Sequence, residues 1–552
     1  MGGLIILEPT LLKYEPHLHG DIQVNTQTNG RQYGLNTALT KSNALGNMKL
    51  TAGLQRSGDK KTPEYYLTNT GNKENSVSLL LANDVGKKHY RKLYYSYYGT
   101  EIGILRGSHI GNLTDLKEAF DRKVPFFTQE KFTKIIEAPR QNVHHHLLKY
   151  SHVLRFSELN VLHLDVALQA NNREEYDVRR ANARENPSLD LTLISQFLDV
   201  NFTHTSASGT TEHMLGFQNK YSNNTNNPGT GILPLIPDFI GYQNALYYIL
   251  KSQVWSTPLE LGVRSEFRKY DVYEVNQSSN IEQTNNTFIN FAANIGVKKE
   301  ITKELRTQLD ISFSSRPPEV NELYSKGLHQ GVSGIEEGNR NLVSEFSTKI
   351  VNEWIGHISD KLYINASLFY NKLDNFIYLL PTKEERLTIR GAFPVFRYAS
   401  TDVTMTGLSI KSTYQLSHTI SISNQINLIR ARNNSSKTGL IWTPPPNISL
   451  QLAINAPKSK WYQELKSGLE GSYTFKQTNV DIEEDLLAPP DGYLLMNVFA
   501  KIKWKKKYGN DIYLVARSEN LLNTVYRDYL NRIRYFADEI GRNISLSVGT
   551  SF

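Results

Sequence analysis

Seven side chains in this sequence have the chemistry to grip an anion: Arg316, Tyr324, His329, Arg390, Arg532, Arg534 and Tyr535. Guanidinium groups fork onto carboxylate or phosphate oxygens, and aromatic faces stack against flat or charged ligands. All seven fall in or beside long polar segments, which makes them candidates for holding an anionic chelate. The competing expectation, and the stronger one, is that blocks such as Arg316–His329 tie loops together without reading a ligand. His144-His145-His146 invites a metal, but an extended chain sends 144 and 146 to one side and 145 to the other, so the three rings cannot converge. Asp481, Glu483, Glu484 and Asp485 could offer carboxylate oxygens to Ca²⁺, yet their spacing lacks a complete calcium-loop pattern, and an acidic surface loop is expected. Asp177 with Arg179 and Arg180 suggests a salt-bridged loop root, and Lys505-Lys506-Lys507 a solvated corner. No Gly-x-Ser-x-Gly, His-Glu-x-x-His or phosphate loop occurs; Gly107-Ser-His-Ile-Gly111 has His at its centre. With zero cysteines, thiol nucleophiles, thiolate metal sites and disulfides are excluded together. We expect no catalytic residue, no resident metal, no cofactor and no enzyme activity.

The elements that must carry these side chains are strands. In the final segment, Ile544, Leu546, Val548 and Phe552 occupy even positions, and Asn543, Ser545, Ser547 and Ser551 odd ones. Successive strand side chains face opposite ways, so one face is apolar and the other small and polar. The same period of two recurs in Ile22, Val24 and Thr26, in Leu362 to Tyr370, in Ile448 to Ile454, and in Leu494 to Trp504. It gives about 22 candidates, each long enough for the roughly 9–11 residues that cross a bilayer at a tilt. Mean hydropathy is −0.44, and no apolar run approaches the ~18 residues of a membrane helix. Barrels evade that test because only alternate residues meet lipid. The 31 Tyr and 22 Phe suit interfacial girdles. Lys and Arg are scattered and the formal charge is only +8, so no nucleic-acid footprint is visible.

Connections alternate in length. Short turns at 41–46, 83–87, 298–301, 357–361, 416–419 and 505–510 intervene between long loops at roughly 58–73, 104–139, 171–187, 223–242, 271–284, 315–343, 374–398, 476–490 and 520–540. In hydrocarbon each unpaired backbone group costs several kcal/mol, so a sheet there must close on itself. The expected fold is therefore all-β: a transmembrane antiparallel barrel of about 22 strands, with short periplasmic turns and long extracellular loops. A barrel of that size encloses a wide lumen that natural proteins plug.

Three ordered stretches resemble the TonB-dependent outer-membrane receptor family. Arg316-Pro-Pro-Glu-Val-Asn-Glu-Leu-Tyr324, followed by Glu337-Gly-Asn-Arg-Asn-Leu-Val-Ser-Glu345, is similar to the family's mid-barrel block. Glu519-Asn-Leu-Leu-Asn-Thr-Val-Tyr526 resembles the element before its last loop, and Ala366–Ile377 one of its strand ends. The resemblance implies uptake of a scarce nutrient, with a ferric siderophore or other metal chelate as the expected cargo. It also implies as partners the TonB energy-transduction complex acting through a plug, the barrel-assembly machinery and the lipid bilayer, and it makes the closing Phe552 an assembly signal. It implies location in the outer membrane, although Met1-Gly-Gly-Leu-Ile-Ile-Leu7 lacks the basic start of an export signal. Residues 1–18 are expected to be the remnant of the last plug strand and its linker, and 19–552 the barrel. The alternative is a passive channel or a receptor fragment without its plug.

Overall fold

The computed structural model describes residues 12, 14–44, 46–85, 88–178, 186–275, 278, 280–505 and 511–552. Among these, twenty-two strands pair antiparallel with their sequence neighbours in one continuous sheet. The first, His19–Gln27, bonds both to Gln32–Asn43 and to the last, Asn543–Ser551, with Val24 opposite Val548 across the seam. The barrel is closed and offers lipid no free edge. Phe552 locks this seam: its backbone exchanges two 2.9 Å hydrogen bonds with Gly20. Its ring also lies where a Cβ on residue 20 would sit, 2.2 Å from Phe552 Cζ.

Alternation has a physical outcome on each strand. Along Asn447–Ala456, Ile448, Leu450, Leu452 and Ile454 stand outward, Leu450 56% exposed. Ser449 and Gln451 take the opposite, lumenal face. A soluble protein rarely exposes such a contiguous girdle; in lipid each of these side chains recovers a transfer free energy of about 1.5–3 kcal/mol. No helix is long and apolar enough to cross a membrane among the described residues.

One rim carries short turns, such as those between Asn43 and Gly46 and between Val254 and Thr257. Residues 12 and 14–18 lie beside it, where Asn47 Nδ2 donates to the Leu12 carbonyl at 3.0 Å and the Ser42 N–H to the Glu15 carbonyl at 2.7 Å. Most of residues 1–18 lies outside the described residues.

The other rim departs from expectation in two places. The segment 374–398 is not a loop: Leu362–Thr388 and Gly391–Gln415 form one hairpin that continues well above the apolar belt. Likewise Thr257–Val275 and Ile281–Glu300 leave only a short connection where a longer one was expected. Above the belt no lipid selects one apolar face, so these strands lose the alternation that marks them lower down. The hairpin tip folds back over the barrel mouth, where Phe393 and Phe396 are fully buried. There it meets the loop 104–139, with its helix Leu113–Asp121, and the segment around Tyr535 and Phe536. A four-residue strand, Gly334–Glu337, pairs parallel with the same hairpin. The long connections thus make a packed cap with its own apolar core, built from Ile110, Leu116, Phe396, Tyr535 and Phe536.

Candidate functional site in the loop cap and the lumen

The cap collects most of the anion-gripping candidates, and it pairs every arginine among them with a carboxylate. Arg534 is 3% exposed; its Nη2 donates to Asp485 Oδ2 at 2.5 Å, and the Tyr535 hydroxyl donates to Asp485 Oδ1 at 2.5 Å. The guanidinium also lies 4.5 Å from the Tyr535 ring and 5.0 Å from that of Tyr529. Burial and the Asp485 charge push the Tyr535 phenol far up, so it stays a neutral donor. Asp485 is therefore a buried anchor, not part of an acidic surface loop, because its partners lie 49 and 50 residues away in the chain.

A second group joins His329 and Arg532 on one carboxylate. His329 Nδ1 lies 3.0 Å from Glu336 Oε1, and Arg532 Nη2 donates to the same oxygen at 3.2 Å. Burial alone would raise the Glu336 carboxyl, but bonding from His329 and the Arg532 charge outweigh it and hold the group below its ordinary range. Arg532 also sits 5.2 Å from the Phe396 ring, which belongs to the cap core with Tyr535. Arg390, at the hairpin tip, pairs with the fully buried Asp177. Arg179 and Arg180 lie outside the described residues. Nearby, His109 is buried beneath the hairpin, bonded to Gln330, and its burial holds it neutral.

Arg316 and Tyr324 belong to a separate cluster. Arg316 Nε donates to Glu345 Oε2 at 2.6 Å and Nη1 to Glu322 Oε2 at 2.9 Å. Glu322 also closes a capping box with Glu319 at the start of the short helix Val320–Tyr324. Tyr324 is buried and its hydroxyl donates to Asn286. This motif residue and its partners fasten the connection 317–344 to the strand tops. The histidine run behaves as its geometry requires. His144 and His146 meet the hydroxyls of Tyr97 and Tyr95 on one face at 2.9 and 3.0 Å, while His145 turns to Asn171 on the other.

The lumen holds a site that the sequence reading passed over. Lys220, Gln243 and Arg268 stand in register on three adjacent strands, forming a row across the inner wall. With Arg173, Phe239 and Tyr270 they line a cavity of about 350 Å³, roofed by Glu319 and Val320 at the start of the helix Val320–Tyr324. Arg268 is held by Glu266 at 2.9 Å and Glu319 at 2.6 Å, and Arg173 by Glu175. Lys220 has no ion-pair partner among the described residues, and it faces the cavity. An unmatched cation beside aromatic and aliphatic walls can accept a ligand that carries both negative charge and apolar surface. The signal was present in Arg264, Glu266, Arg268 and Tyr270, which alternate with the outward Val263 and Phe267.

Comparison with known proteins agrees with this architecture. The family model described as "TonB dependent receptor-like, beta-barrel" matches residues 16–521. None of the curated proteins matches the chain. Among solved structures, the copper transporter OprC superposes with a TM-score of 0.76 at 12% identity, covering 98% of this chain and 81% of that one. The FrpB iron transporter from Neisseria meningitidis gives 0.71 at 11% identity, covering 98% and 82%. The siderophore receptor PirA from Pseudomonas aeruginosa gives 0.64 at 12% identity, covering 98% and 81%. At these identities the likeness is one of fold, and the family match over most of the sequence supplies the rest: this closed barrel, with its capped mouth and polar lumen, belongs to the TonB-dependent receptor-like β-barrel family.

Proposed function

We propose that the barrel takes up a scarce nutrient, a ferric siderophore or another anionic metal chelate, and that the lumenal row beneath the cap is where the cargo rests. Proteins of this family are transporters, not enzymes, and a closed barrel of this family is an outer-membrane protein. In the proposed orientation the long connections face outward and the short turns face the periplasm. Energy comes from the TonB complex acting on a plug; residues 1–18 are proposed as the end of that plug and its linker. Delivery by the barrel-assembly machinery, with Phe552 as the signal, is part of the same reading.

The observation that carries the proposal is the cavity lined by Lys220, Arg268 and Arg173 with Phe239 and Tyr270. A chelate presents delocalised negative charge on an apolar ligand shell, and this wall offers the unpaired Lys220 beside aromatic rings in one recess. Solved relatives are described as copper, iron and siderophore proteins, which supports a metal-bearing cargo without selecting one. The test compares host cells with the gene intact and deleted, following uptake of radiolabelled ferric hydroxamate, ferric catecholate and ferric citrate. Gene-dependent uptake of one chelate that stops on adding a proton uncoupler is expected. Gene-dependent uptake insensitive to the uncoupler, with steady conductance in planar bilayers, would make the protein a passive channel.

A further inference from the structure

The outer wall carries two basic recesses directly above the apolar belt. On the strand Ile420–Asn433, even-numbered residues face outward: Ile422, Ile426 and Leu428 belong to the belt, while Ala431 packs inward against Leu373 and Val403. The same outward row continues toward the long-loop rim as Arg430 and Arg432, paired in register with Thr406 and Thr404. Lys437, from the turn above, completes a recess of about 520 Å³. Among the described residues no acidic side chain lines it. Arg430 Nε donates to Asn479 Oδ1 and Arg432 Nε to the Lys437 carbonyl, each at 3.3 Å, so both guanidiniums meet neutral acceptors. Asp402, two residues before Thr404 on the paired strand, accepts from the Asn375 N–H at 3.0 Å.

The barrel seam repeats the pattern. Above outward Val24 and Leu546, Arg31, Lys61 and Arg542 line a recess of about 220 Å³, again without an acidic side chain among the described residues. The Arg31 guanidinium lies 4.2 Å from the Phe132 ring and Lys61 Nζ 5.2 Å from that of Tyr66. These cations contrast with paired arginines of the cap. Arg386 and Arg397, for example, are both paired with Glu337 and Glu384.

Three like charges gathered without a counter-ion repel one another unless an anion joins them. Their height decides which anion. A side chain one step above the hydrocarbon edge stands among lipid headgroups, where Lys and Arg act as anchors. Guanidinium forks fit phosphate oxygens, and the neighbouring Thr hydroxyls and Asn amides add neutral donors. We propose that these two recesses bind the phosphate groups of anionic lipids in the leaflet that meets the long-loop rim, fixing the barrel's depth in the membrane. The proposal rests on the membrane-spanning belt and not on the cargo, so the uptake experiment and this one can fail separately.

The test reconstitutes the protein in nanodiscs of phosphatidylcholine with a minor fraction of phosphatidic acid, then reads retained lipid by native mass spectrometry. Wild type is expected to retain phosphatidic acid in preference to phosphatidylcholine. Arg430→Gln/Arg432→Gln, and separately Lys437→Gln, should lower that retention by about fivefold per cation removed. Adding Arg31→Gln and Arg542→Gln should abolish the preference. Heat-modifiable electrophoretic mobility checks that each variant has closed its barrel, and Lys117→Gln, on the helix Leu113–Asp121, should retain lipid like wild type. Equal retention by wild type and the arginine variants would overturn the proposal. So would complete displacement of the lipid by equimolar inorganic phosphate, which would make these recesses sites for the free ion.

Discussion

The loop cap and the lumen wall both pair their arginines with carboxylates, but the wall adds a lysine that is left unpaired among the described residues. In the cap each candidate cation has a carboxylate: Arg534 has Asp485, Arg532 has Glu336, Arg390 has Asp177, and Arg316 has Glu345 and Glu322. On the wall, Lys220 faces an open cavity with no such partner among the described residues. A charge already satisfied by a buried counter-charge has little left to offer a ligand, and removing it leaves that partner stranded. A charge left unmatched next to a cavity loses nothing by itself when deleted and everything the ligand would have gained. The difference separates residues that hold the receptor's mouth in shape from those that can hold its cargo.

The widest separation should come from Arg534→Ala, which strands the buried Asp485 and should cost the cap about 3–5 kcal/mol. Hydrogen exchange should show loss of protection around residues 520–540 and 476–490, with the belt strands unchanged. Arg316→Ala should be milder, about 1–3 kcal/mol, because its site is partly open to water and Glu322 keeps its backbone cap. The same exchange experiment would read it at 317–344. Acid should act in the same direction. Folding holds the Glu336 carboxyl below its ordinary value of 4.5, so its contribution is full above that value and is lost as pH falls through the lowered one. Limited proteolysis of the cap should therefore accelerate on acidification below the ordinary carboxylate range, and Glu336→Gln should remove that component. The smallest change is expected at Lys383→Ala, whose 2.8 Å pair with Glu483 is exposed on both sides. It should cost ~0–1 kcal/mol, read as an unshifted thermal midpoint.

Sequence alone exposed the barrel because lipid enforces one apolar face wherever a strand crosses it. The closing residues up to Phe552 and the run Leu494 to Trp504 carry that alternation plainly, and both are strands. It failed at 374–398, where the hairpin rises beyond the lipid and its inward residues pack against loops. The site was less legible for a different reason. Arg390 meets Asp177 across 213 residues and Arg532 meets Glu336 across 196, so no local pattern could show that these arginines are already paired. The lumenal row was visible as alternating polar residues at 264, 266, 268 and 270. Every lumen-facing strand has such a face, however, and only the register between strands shows which of them meet around a cavity.

The cargo is proposed to bind at the unmatched Lys220 of the lumen wall and not at the matched cap arginines. Equilibrium dialysis of the chelate that the cells import, against detergent-purified wild type, Lys220→Ala and Arg532→Ala, tests it most directly. Lys220→Ala should weaken binding by about tenfold to a hundredfold, as for loss of a charge-assisted contact, while Arg532→Ala stays within about twofold of wild type. Undiminished binding by Lys220→Ala together with lost binding by Arg532→Ala would contradict it and move the cargo to the cap.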